Sequence, residues 1–95
     1  MKRCVVAYAT RGRQYLWPVA LPDEASVQDA LAAARSLAQS ERGLPAVPWD
    51  EATVGIFGEP CDRGVIPRDG DRIEIYRPLI HDPRQARRER ARRRT

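Results

Sequence analysis

Asp69-Gly70-Asp71-Arg72-Ile73-Glu74-Ile75-Tyr76-Arg77-Pro78-Leu79 contains the strand around which the fold of this chain is organised. Asp-Gly is a strong turn signal, because glycine accepts positive φ without a Cβ clash. Ile73 and Ile75 then alternate with Arg72 and Glu74, the period of a strand with one buried face. This strand closes a small domain over residues 1–80. His81-Asp82-Pro83 and then a run of arginines leave the domain as a basic tail over residues 81–95.

At the opposite end of the chain, the spacing predicts two strands. Residues 3–10 are rich in β-branched and aromatic types, and Tyr15, Trp17, Val19 and Leu21 repeat at period two between Arg13 and Leu21. Thr10-Arg11-Gly12-Arg13 is short enough to join them as a hairpin. Pro18 lacks an N–H, so the second strand is expected at a sheet edge. Ser26-Val27-Gln28-Asp29 resembles a capping box with Asp in the place of Glu or Gln, and Asp23 and Glu24 suit the positive end of a helix. Val27, Ala30, Leu31, Ala34, Leu37 and Ala38 recur at helical spacing as one apolar stripe, fading near Ser40 with Gly43 as the stop.

Trp49 is the expected anchor of the connection over residues 44–52. Thr53-Val54-Gly55-Ile56-Phe57-Gly58 reads as a third strand, in which glycine marks a bulge or a close backbone approach. Residues 61–67 read as a loop with room for one very short strand around Val65 and Ile66. The order is therefore β-β-α-β-(β)-β. It implies an α+β fold in which one main helix covers one face of a mixed four- to five-stranded sheet, with the first and last strands as the central pair. That arrangement is a β-grasp, as in ubiquitin-like domains.

Size and charge narrow the function. A chain of 95 residues is one domain with a modest core, which points to work on a surface rather than in a deep cleft. The net charge of +4 is unevenly held: residues 84–95 contain seven arginines and one glutamate, so the rest of the chain is slightly acidic. Cys4 and Cys61 lack any metal-ligand or redox spacing, and the single histidine does not complete a metal set, so neither a metal nor a cofactor is expected. The N-terminus turns polar too soon for a signal peptide, and no apolar run reaches membrane-spanning length. A reduced cytoplasmic setting is the resulting expectation.

Val6-Ala7-Tyr8-Ala9, Val54-Gly55-Ile56-Phe57-Gly58, the stretch from Asp69 to Leu79, and Asp82-Pro83 with the arginines after it together resemble the RnfH family, which includes proteins called RatB. The resemblance spans nearly the whole chain. It implies a ubiquitin-like β-grasp, a small bacterial cytoplasmic protein, association with an Rnf-type redox assembly or a RatA-type partner, and no established enzymatic activity. This chain departs from the family pattern at Glu41-Arg42-Gly43-Leu44, where Ser-Gly-Ile is usual, and at Glu59, where lysine is common.

The function read from these residues is that of a non-enzymatic protein-binding module, docking through a sheet edge or face while the tail adds electrostatic steering. Tyr76, Arg77, Pro78, Leu79, His81 and Asp82 form the candidate interaction patch, because Tyr and Arg dominate binding hot spots. His81 beside Asp82 suits a turn better than a general base, since no nucleophile is placed beside it. Arg84, Arg87, Arg88, Arg90, Arg92, Arg93 and Arg94 are the candidate contacts to an anionic partner: RNA, anionic lipid or an acidic protein. The tail reads as a solvated extension, disordered or helical only on contact. A nucleic-acid accessory role through the tail is the second reading. The last strand also resembles that of sulfur carriers of the MoaD and ThiS type, but their chemistry needs a C-terminal Gly-Gly, and no glycine occurs after Gly70.

Overall fold

The computed structural model describes residues 1–77, so Pro78 and everything after it lie outside the described residues. Five strands and one helix occur in the order β1 (Lys2–Ala9), β2 (Gln14–Leu21), α1 (Val27–Ala38), β3 (Val54–Ile56), β4 (Glu59–Cys61) and β5 (Arg72–Ile75). The sheet order is β2-β1-β5-β3-β4, with β1 and β5 parallel and the remaining neighbours antiparallel. The first and last strands do form the central pair. Strands entirely sheltered on one side need a covering layer, and α1 supplies it.

Each element can be traced to its residues. Val6, Tyr8, Trp17, Val19, Leu21, Val54, Ile73 and Ile75 turn one way at period two and meet Val27, Ala30, Leu31 and Ala34 of the helix. The small alanines let helix and sheet approach closely. Leu37, expected in the apolar stripe, is about half exposed instead: the buried helix positions are 27, 30, 31, 34 and 38, and Leu37 falls outside that narrower arc. Helical bonding also ends sooner than Gly43, with Gln39 as the C-cap. Gly43 takes φ +76° in the connection beyond.

The helix start is fully provided for. Ser26 Oγ accepts from the Asp29 N–H at 3.2 Å, and an Asp29 carboxylate oxygen accepts from the Ser26 N–H at 2.9 Å, completing the capping box. The next donors, Val27 and Gln28 N–H, go to the carbonyls of Val65 and Arg63 at 2.8 and 2.9 Å. This use of residues 63–65 as a backbone cap explains why the short fourth strand lies at Glu59–Cys61 rather than around Val65 and Ile66. Ser26→Ala is expected to lower stability by about 1 kcal/mol, read by urea unfolding. Ser36→Ala, on the exposed helix surface, should stay within about 0.5 kcal/mol.

Two clamps tie the connections down. Lys2 is buried, and its ammonium donates to the carbonyls of Asp23, Ala25 and Pro67 at 2.8, 2.7 and 2.7 Å. Arg63 donates to Gln28 Oε1 and to the carbonyls of Trp49 and Ala52. Trp49 is the anchor the sequence predicts: it packs on the buried core, its ring 5.3 Å from that of Trp17, whose indole N–H reaches Glu41 at 2.8 Å.

Candidate docking surface

The strand alternation that fills the core leaves a second sheet face with no helix over it. β1 contributes Arg3, Val5, Ala7 and Ala9, β2 contributes Gln14, Leu16, Pro18 and Ala20, and β5 contributes Arg72 and Glu74. Register lines up Leu16, Ala7, Glu74, Gly55 and Pro60 in one row, with Pro18, Val5 and Arg72 in the next. The open face of an antiparallel sheet is ordinarily polar. Here it is built mainly of Ala, Gly, Pro, Val and Leu, with Leu16 49% exposed. Ala7 is buried and Gly55 lies beneath Tyr76, so the water-facing part of this surface is Ala9, Leu16, Pro18 and Ala20 with half-buried Val5.

Both sheet edges carry a proline. Val5 gives its N–H to the Asp71 carbonyl on the β5 side, so its partner Pro18 stands where a strand's N–H would point outward. On β4, Pro60 faces Gly55 one position beyond the Ile56–Glu59 pair that closes a two-residue turn, which again aims its nitrogen away from the sheet. Each edge thus lacks a donor that an added strand would need.

The turn between β3 and β4 is unusual. Phe57 and Gly58 take φ +48° and +83°, the positive-φ pair of a type I′ hairpin, where Asn-Gly is the usual choice. Phe57 sits 62% exposed at this tip, with its N–H on the Arg72 carbonyl at 3.0 Å. Holding a bulky residue there costs on the order of 1–2 kcal/mol.

Tyr76 continues β5 by donating its N–H to the Thr53 carbonyl at 2.9 Å, and its side chain covers Gly55. A Cβ at position 55 would lie 2.5 Å from both the Tyr76 hydroxyl and the Glu59 carbonyl oxygen, so the glycine marks a close approach, one of the two meanings its sequence context predicts. The hydroxyl is buried and has no hydrogen-bond partner among the described residues. Burial first, then the charges of Glu74, Cys61 and Glu59, push the phenol above its usual range. Because the folded state favours the neutral phenol, this contribution to stability is complete below about pH 10 and is lost as pH rises through the raised folded value. Tyr76→Phe removes an unpaired buried oxygen and is expected to stabilise the domain by about 1 kcal/mol while flattening the alkaline fall in stability, measured by urea unfolding across that range.

Arg77 and Tyr76 border a shallow groove of about 260 Å³ at the end of the open face, together with Thr10, Gln14, Arg72 and Glu74. These are the two members of the candidate patch that the structure brings together. Pro78, Leu79, His81, Asp82 and the seven tail arginines lie outside the described residues. Both cysteines are free. Burial pushes each thiol up, with Asp62 adding to the effect at Cys61, so neither is poised as a thiolate.

Sequence reasoning named a sheet face without its residues, because pairing register decides which residues share it, and it missed the buried Lys2. The signal that was available is Pro60 two residues after Phe57-Gly58: a two-residue turn placed there makes Pro60 an edge residue.

The architecture is that of a ubiquitin-like β-grasp protein. Two crystal structures of the small archaeal modifier protein SAMP1 from Haloferax volcanii share it, each with a TM-score of 0.59 and 21% identity, covering 84% and 82% of this chain and 99% of theirs. The family model described as RnfH family Ubiquitin matches residues 3–90. Proteins called Protein RnfH are 43% identical over 88 residues in Cronobacter sakazakii (93% of this chain, 88% of that protein) and over 89 residues in Yersinia pestis (94% and 90%). The chain belongs to the RnfH family. No helix among the described residues is long and apolar enough to cross a membrane.

Proposed function

We propose that this RnfH-family domain is a non-enzymatic, cytoplasmic protein-binding module that docks through its open sheet face. The observation that carries this reading is a helix-free sheet face whose exposed part is largely small and apolar, Leu16, Pro18 and Ala20 with half-buried Val5 beside the buried Ala7, between two edges that each carry a proline. Flat apolar surface exposed to water is a cost a monomer avoids, and covering it is what a partner offers. The basic tail adds attraction at a distance, raising the rate of encounter more than the final affinity. A RatA-type protein and an Rnf-type redox assembly are the partners that the family resemblance implies.

Affinity capture tests it. Leu16→Glu should abolish recovery of the protein partner, whereas Leu37→Glu, equally exposed on the helix, should keep it. Removal of residues 84–95 should reduce capture mainly at low salt. Loss of every partner on nuclease treatment would favour the nucleic-acid reading and overturn this one.

A further inference from the structure

The two charged residues that β5 gives to the open face have opposite signs and stand in adjacent rows. Glu74 shares a row with Ala7 and Leu16, and Arg72 shares the next with Val5 and Pro18. Both charged residues are half-buried, and neither joins an ion pair among the described residues. From β2 to β5 one row therefore runs apolar, apolar, acidic, and the other apolar, apolar, basic. Each row is the complement of the other and clashes with a copy of itself.

Resting on the face-docking reading, we propose that the open face accepts a second copy of this chain, packed face to face about a two-fold axis that runs across the strands between these two rows. Sheets packed this way keep their strands within about 30° of each other, so rows near the axis overlie. A two-fold contact is reciprocal. Glu74 meets Arg72 of the second copy and Arg72 meets its Glu74, while Leu16 meets Pro18 and half-buried Val5 lies over the Ala7 position. The outer rows bring no conflict, since Arg3 falls over Ala9 and Gln14 over Ala20. Other two-folds lose the match. An axis through either row sets Glu74 on Glu74 or Arg72 on Arg72, and an axis along the strands sets these charges on like charges or over the apolar residues of β1 and β2, where they are dehydrated without a partner. Self-pairing and binding of another protein use one surface and exclude each other.

The test is sedimentation equilibrium of the full chain at about 0.15 M salt, over concentrations from about 1 μM to about 1 mM. The expected result is a dimer that dissociates on dilution. Arg72→Glu alone and Glu74→Arg alone should each weaken it by about tenfold or more, because four like charges then face one another. Mixed in equal amounts, the two single variants should pair again to within about twofold of the parent, since one face is then acidic and the other basic at these positions. The doubly exchanged chain, Arg72→Glu plus Glu74→Arg, should likewise pair with itself. Recovery in the mixture separates a lost contact from a damaged fold, which mixing does not repair. A monomer at every concentration, a dimer that both single variants leave intact, or a mixture that stays monomeric would overturn self-pairing. None of these bears on capture of another protein by the same face, which the Leu16→Glu experiment reads separately.

Discussion

Gly55→Ala is expected to destabilise the domain by about 3 kcal/mol, lowering Tm by on the order of 15 °C. The new methyl would sit 2.5 Å from the Glu59 carbonyl oxygen and 2.9 Å from its carbon, both backbone atoms of the neighbouring strand, and 2.5 Å from the Tyr76 hydroxyl. A flexible side chain could move aside; the β4 backbone moves only by breaking its pairing with β3. Tyr76→Ala in the same chain should therefore fail to restore stability, because it removes the yielding neighbour and keeps the rigid one. Gly64→Ala is the matched control, since a methyl there meets nothing within 4 Å. Thermal unfolding of the three variants checks it, and a Gly55→Ala protein as stable as Gly64→Ala would show the close packing to be wrong.

Lys2→Ala should cost a comparable amount, about 3 kcal/mol. Three carbonyls, from Asp23, Ala25 and Pro67, converge on one ammonium, and truncation leaves those of Ala25 and Pro67 buried without a donor. They come from the two ends of the β2–α1 connection and from the segment leading to β5, so one side chain joins three stretches distant in sequence. Lys2→Met retains most of the volume and should recover only the packing part, remaining about 2 kcal/mol less stable than the parent. Arg3→Met next door, whose side chain is exposed, should change stability by less than about 0.5 kcal/mol. Urea unfolding of the three variants reads these differences directly.

These two positions also mark what the sequence could and could not tell. The alternation of Ile73 and Ile75 with charged neighbours, the capping box at Ser26 and the apolar helix stripe are local periodicities, and they led to the right layers and the right central pair. Leu37 failed because helical spacing identifies a face without showing how wide the buried part of it is. Lys2 reads as a surface charge until tertiary structure brings three carbonyls around it, and no local pattern records those partners. The same holds for the open sheet face: Ala7, Leu16, Glu74 and Gly55 are scattered in sequence and become one row only through strand register. Tyr76 stood out as a candidate contact by residue type. Its place over Gly55 gives it a packing role in the sheet, and the apolar row beside it is the larger surface.

The proposed docking through the open sheet face is tested residue by residue by amide NMR mapping of the full chain, alone and with the protein partner recovered by affinity capture. Shifts or broadening are expected to concentrate at Val5, Ala7, Leu16, Arg72 and Glu74, with α1 residues such as Ala32 and Ser36 unchanged. Perturbations confined to α1, or to the outer edges of β2 and β4, would contradict face docking.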